Sequence, residues 1–356
     1  MAQNAMNFEG SIFIFQAFDV GDEINLEAIE DEQLLLQRPL KLPKYFKYYH
    51  KPLEVEPPHP HGTSACISCK IHSFGVITLC YQITFEETLV DLRSMINEIN
   101  DKYLEQSVAD AQSVFKKIKK HINQPKFFAL RTSYQVVQIK SQPDVISAEQ
   151  LKEIHGSTIA SILRFEEQHL SEDQKNDIIE SATGYFRGDL IIVDTDSAFV
   201  ADNEYEEILG LFEFANIQQL QLQVFDRMLD AKLTSLYEDK RIKIPLSLYL
   251  PFAPTYSPVA ELSRLRVDIS VITEKLESSI LLAGEPYYAE IYELLVENLG
   301  LNSWRAAIEK KLEIIKDMRT IYQSKIDSNR EDVLTVLIIV LIFIELVVGT
   351  LSYFKH

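Results

Sequence analysis

One run of residues constrains this chain more than any other. Residues 333–354 read VLTVLIIVLIFIELVVGTLSYF, with a single ionisable side chain, Glu345. At about 1.5 Å per residue, a helix of this length crosses a hydrocarbon layer of roughly 30 Å. Only Lys355 and His356 follow it. The run is therefore expected to be a tail anchor, inserted after synthesis, with the upstream residues held against one face of a lipid bilayer. Lys310, Lys311, Lys316, Arg319, Lys325 and Arg330 lie on its N-terminal side. The positive-inside rule then predicts a single pass with the large domain in the cytoplasm, in a bacterial inner membrane.

The residues before the anchor have the composition of a folded protein. Hydrophobic residues make up 46% of the chain, enough for a packed core. The formal charge is −18, from 53 acidic against 35 basic residues. Such a chain gains little from neutralising phosphates, so direct nucleic-acid binding is not expected. The first basic residue is Arg38, after eight acids, which fits neither a secretory signal nor a mitochondrial presequence. Three cysteines in a cytoplasmic domain are expected to stay reduced.

The pattern along the chain predicts an α+β cytoplasmic domain at 1–202, followed by an α-helical coiled-coil hairpin and one C-terminal transmembrane helix. Strands are expected at 11–18, 65–72, 74–83, 126–131, 134–140 and 189–194, where apolar and β-branched residues run without breakers. Helices are expected from near Asn25, from near Phe85, over 103–121 and over 148–169. Ser147 with Gln150 makes a capping box for the last of these. Residues 38–63, rich in Pro, Tyr and Lys, read as an irregular loop. From Asn203 a helix over about 204–240 and a proline-rich stretch form a connector at 203–257. A stalk at 258–332 follows. Leu262, Ile269 and Leu276 recur every seven residues, as do Leu301, Ile308, Ile315 and Tyr322. Two such helices suit an antiparallel coiled coil, or equally two core-facing helices of a bundle. No Pro or Gly falls between 301 and 348, so one helix is expected to run from stalk to membrane span, 333–354.

Few residues suggest chemistry. Glu345 costs roughly 2.5–3.5 kcal/mol within an apolar span. That cost marks it as a helix–helix contact, with Gly349 one turn on permitting close approach, or as a carboxylate reaching the headgroups. His59, His61, Cys66, Cys69 and His72 include a Cys-x-x-Cys spacing suited to zinc. In a regular strand, though, residues three apart face opposite sides, which favours buried structural cysteines. Asp194 and Asp196, with Asp189 before them, follow an apolar run and could hold Mg²⁺ or simply make a turn. His155 and His169 read as ordinary helix residues. No phosphate-binding glycine pattern and no nucleophile setting is present, so neither a cofactor nor catalysis is expected.

Four stretches carry a family resemblance. Residues 284–349 run from GEPYYAEIYELLVENLGLNSW into a polar helix, then into VLIIVLIFIELVVG with its Glu345. Residues 211–233 (LFEFANIQQLQLQVFDRMLDAKL), 11–30 and 73–84 fit alongside. Together they resemble the Required for Meiotic nuclear Division family, whose terminal membrane helix also bears a Glu. The resemblance implies a membrane-anchored oligomer without enzymatic activity, its mitochondrial member supporting translation. The family's central Ser-His pair is replaced here by Ala215-Asn216, so no role of that His carries over. The function expected is a non-enzymatic scaffold or tether that forms homo-oligomers and receives a protein partner. The alternatives are a metal-dependent enzyme at the membrane surface and an oligomeric ion-conducting pore.

Overall fold

The computed structural model describes residues 6–41, 43, 51–58, 65–128, 130–142, 144–238, 267, 269 and 285–353. Contacts divide the chain into two compact units. The first is Met1–Val224 with Lys275–Arg305; the second is Phe225–Glu274 with Ala306–His356.

The first unit is built on a mixed seven-stranded sheet. Its strands are β1 (Asn7–Asp19), β3 (Leu53–Val55), β4 (Cys66–His72), β5 (Val76–Thr88), β7 (Arg131–Ile139), β8 (Leu190–Val193) and β9 (Ser197–Ala201). Their spatial order is β3-β4-β5-β1-β7-β9-β8. A separate pair joins β2 (Glu23–Ile24) to β6 (Ile122–Asn123). All neighbours in the large sheet are antiparallel except β7 and β9. That parallel pair needs a crossover. It is supplied by helices α3 (Ala148–Leu163) and α4 (Glu172–Glu180).

Both sheet faces are covered, which explains why the central strands lack clean alternation. One face carries Ile12, Ile14, Phe18, Leu79, Tyr81, Val137 and Ile139. They share a core with Leu92, Ile96, Ala111, Val114 and Phe115 of α2 (Leu89–Ile118), and with Ile159 and Ile162 of α3. The other face carries Ala17 and Val76, which meet Ile217 and Leu220 of α5 (Glu206–Glu238). Tyr134 stacks on Phe212 with ring centroids 5.5 Å apart. Helix α6 (Pro286–Asn298) flanks α5, with Tyr292 donating a 2.6 Å hydrogen bond to Gln218. Each fully buried Ile or Phe contributes roughly 1.5–3 kcal/mol.

Several elements differ from the sequence expectations. Strand β5 runs on to Thr88 instead of yielding to a helix near Phe85, because residues 83–88 pair in register with Asn7–Ile12 of β1. Thr88 then caps α2, its Oγ1 accepting from the Asp91 amide at 3.1 Å. The two helices expected over 85–121 are one, α2. Residues 126–128 and 130 lie outside any strand. There Phe127 and Phe128 turn in around Phe18, at 6.4 and 5.7 Å. Strand β9 and helix α4 were not expected at all. The helix predicted from Ser147 forms with its full capping box, but ends at Leu163. Helix α1 (Leu26–Asp31) starts as expected, capped by Asn25.

In the second unit the described parts are the end of α5 and helix α7 (Leu301–Tyr353) from Ala306 on. Phe225, Leu229 and Leu233 are buried, as are Ile308, Leu312 and Ile315. Lys311 bridges Asp226 at 2.6 Å and Asp230 at 2.7 Å. Helix α7 is unbroken, as the lack of Pro and Gly implies. Most of the first heptad, including Leu262 and Leu276, lies outside the described residues, as does the Tyr322 side chain. Ile269 is helical and buried, and Leu301 is buried too. Such burial is common to a coiled coil and a bundle.

The β4–β5 turn depends on two glycines. Gly75 has φ +84°, and a Cβ there would lie 1.8 Å from the Gly21 carbonyl oxygen. That close approach lets the Val20 amide donate to the Gly75 carbonyl at 2.9 Å. Gly75→Ala is expected to destabilise the first unit by about 2–4 kcal/mol, read as a lowered urea midpoint of the detergent-solubilised protein.

Candidate functional site

The apolar C-terminal run forms the most distinctive surface. Residues Glu331–Leu351 of α7 have a mean hydropathy of 2.9, and none of the most apolar window is buried. It is the one helix, among the described residues, long and apolar enough to cross a membrane. Glu345 and Gly349 are both exposed. Four residues apart, they share one helix face. A Cβ on Gly349 would meet nothing within 4 Å, so that face is open to a close neighbour.

The cysteines depart from the sequence argument in an instructive way. A register shift between Cys66 and Ser68 marks a bulge in β4. The extra residue turns Cys66 to the same face as Cys69, and both enter the main core. Residues three apart therefore do not diverge here. His72 lies on the opposite face, its Nε2 3.3 Å from Thr78 Oγ1, so it does not join Cys66 and Cys69. His59 and His61 lie outside the described residues. Burial, with Asp110 nearby, pushes the Cys66 thiol up to about 12. Burial likewise holds Cys69 and Cys80 well above the ordinary thiol value. All three are thus buried thiols without the lowered value that marks a reactive cysteine.

Asp194 and Asp196 flank Thr195 in the β8–β9 turn, and the geometry explains them as turn residues. Asp194 Oδ1 accepts from the Thr195 amide at 2.9 Å, and Oδ2 pairs with Arg164 Nε at 2.6 Å. Tyr134 braces the same turn, donating to the carbonyls of Asp194 and Ser197. Burial, then the neighbouring Asp194, raises the Asp196 carboxyl. Asp189 accepts from the Phe186 amide in a different loop. No group of three His, Cys, Asp or Glu side chains placed to hold a metal occurs among the described residues. His155 is buried edge-on to Phe8 at 5.4 Å, and exposed His169 lies by Ser157 and Arg93.

Two features escaped the sequence reading. Beneath α5, Lys70 pairs with Glu213 at 2.6 Å, each side chain only 15% exposed. Thr78 bonds the other Glu213 oxygen at 3.4 Å, and His72 bonds Thr78. Burial pulls the Lys70 ammonium down, but the Glu213 carboxylate more than offsets it. Burial drives the His72 imidazole down to about 3, with Lys70 adding to the effect. The pair spans 143 residues of sequence, so no local pattern announces it. The second feature is an open cleft of about 510 Å³ beside β2, lined by Glu23, Asn25, Glu27, Lys51, Ser73 and His121 among others. Its lining mixes both signs of charge.

The family model described as the N-terminal domain of uncharacterized protein MJ0711 matches residues 9–207. "Uncharacterized protein MJ0711" of Methanocaldococcus jannaschii is 26% identical over 293 residues, covering 80% of this chain and 81% of that protein. No solved structure matches. Neither match links the chain to the Required for Meiotic nuclear Division family, and that resemblance rests on the quoted segments alone.

Two measurements check the buried groups. Native protein is expected to leave Cys66, Cys69 and Cys80 unlabelled by iodoacetamide at pH 8, with all three labelling in denaturant; mass spectrometry reads both states. Because His72 is depressed in the fold, its contribution is present above the unfolded value near 6.5 and lost as pH falls toward 3. Stability should drop by about 1.4 kcal/mol per pH unit for that one proton between pH 6 and 4. His72→Asn should flatten that slope in urea melts.

Proposed function

This chain belongs to the MJ0711 N-terminal domain family, and on that premise we propose that it is a non-enzymatic membrane scaffold or tether. Its α+β unit is held at the cytoplasmic face of a prokaryotic membrane by α7, and copies associate through that helix. The observation that carries this is the fully exposed apolar segment Glu331–Leu351. In water such a surface is strongly unfavourable, at roughly 25 cal/mol per Å² of apolar area. Lipid or a like helix relieves that cost.

Orientation is supported by the basic residues of 310–330, which precede the span, against two at its far end. Self-association is supported by Glu345 and Gly349 on one open face, where a carboxyl can hydrogen-bond across a helix interface. The stalk is supported by the seven-residue recurrence of Leu301, Ile308, Ile315 and Tyr322. The likeness to the Required for Meiotic nuclear Division family points the same way. A catalytic alternative has less behind it. Asp194 is engaged by Arg164, and Cys66 and Cys69 are neutral in the core.

The test is expression of the full chain beside a version ending at Asp332, followed by membrane fractionation and crosslinking in the native membrane. The full chain should sediment with membranes and crosslink to itself; the shortened chain should be soluble. Glu345→Ala should stay in the membrane with crosslinked species reduced severalfold. A full chain that remains in the soluble fraction would refute the anchor. A membrane-bound chain that never crosslinks would refute the assembly.

A further inference from the structure

An aromatic surface on the first unit is used by none of the roles above. Tyr185 and Phe186, in the loop between α4 and β8, are 67% and 69% exposed. Large aromatics at such exposure forgo several kcal/mol of burial, so a surface that keeps two adjacent ones is a candidate contact site. Their rings meet edge to face at 4.8 Å, and Tyr185 leans on Tyr287 of α6 at 5.3 Å. Loop and helix are tied together, since Thr183 donates a 2.6 Å hydrogen bond to Glu290. The rings are therefore held on a platform and are not at the tip of a free loop.

The rim of that platform has one sign. Tyr287 donates to Asp202 at 3.5 Å, and Tyr288 is hydrogen-bonded to Glu207. Asp189 sits close enough to Asp202 and Glu204 for both to raise it, although burial is the larger cause. The loop's own cation, Arg187, lies within reach of Glu149 on α3. Exposed rings present a negative π face, and carboxylates beside them add charge of the same sign. At this acidic rim the acidic body of a second copy is disfavoured as the occupant, as are phosphate backbones and anionic lipid.

We propose that Tyr185, Phe186 and Tyr287 form a docking surface for an arginine-bearing basic segment of a partner protein. Guanidinium groups stack on the rings while Asp189 and Glu204 accept their hydrogen bonds. Arginine is favoured over lysine because its planar, weakly hydrated group stacks and still donates at its edge. None of these residues belongs to α7, so the site does not depend on membrane insertion.

The test uses the full chain in dodecyl maltoside micelles and a fluorescein-labelled peptide of four Gly-Arg repeats, read by fluorescence anisotropy. A peptide of four Gly-Glu repeats is the control. The wild type should bind the arginine peptide and not the glutamate one. Tyr185→Ala with Phe186→Ala leaves net charge unchanged and should weaken binding about fivefold or more. Phe186→Leu, which keeps apolar bulk but removes the ring, should weaken it too. Glu309→Gln, which removes one charge from α7, should change binding less than twofold. Unchanged thermal melts show that the variants fold. Ring variants binding within twofold of wild type would overturn the proposal, since general attraction to an acidic protein would then suffice. Equal binding of the two peptides would overturn it as well.

Discussion

The antiparallel seam between β1 and its two neighbours holds the first unit together. Residues 7–19 pair with residues 76–88 on one side, and residues 10–18 pair with residues 131–139 on the other. A strand paired on both edges has no free backbone groups to satisfy. Its side chains can then be apolar on both faces, as Ile12 to Phe18 nearly are. Helices α2 and α3 cover one face, while the first half of α5 covers the other.

That double cover explains the unit's buried polar groups. Lys70 and Glu213 meet where β4 passes under α5, and the Glu213 carboxylate holds the Lys70 ammonium charged in a poorly hydrated space. His72, on the same face, is instead held neutral by burial, with the Lys70 charge adding to the effect. A carboxylate without its lysine in that position would cost more than the pair returns, so the two residues depend on one another. Tyr134 shows the same economy. Its ring packs on Phe212 while its hydroxyl closes the β8–β9 turn.

The second unit obeys a different constraint. Ile308, Leu312 and Ile315 are buried within it, but from Val333 to Leu351 every side chain of α7 is exposed. One helix thus passes from a setting where apolar contacts are made with protein to one where they require lipid or another chain. Lys311, between Asp226 and Asp230, anchors the buried part by charge.

Local signals were legible and non-local ones were not. The Ser147–Gln150 capping box, the Asn25 cap and the continuity of α7 follow from residues within a few positions of each other. So does the apolar run itself, and with it the need for a non-aqueous surface. Strand β5 outlasting Phe85, the single helix α2 and the strand at Ser197 depend on partners far along the chain. The bulge at Cys66 was hidden for the same reason. One extra residue is set by pairing with β5, and it alone puts Cys66 and Cys69 on one face. The Lys70–Glu213 pair and the Tyr185–Phe186–Tyr287 platform likewise exist only once strands and helices distant in sequence are packed together. Sequence by itself determined that this chain carries an apolar helix and an acidic α+β body, because hydrophobicity and charge are properties of residues. Only tertiary structure decided which residues face one another, because register, bulges and helix docking are set by long-range hydrogen bonds and shared burial.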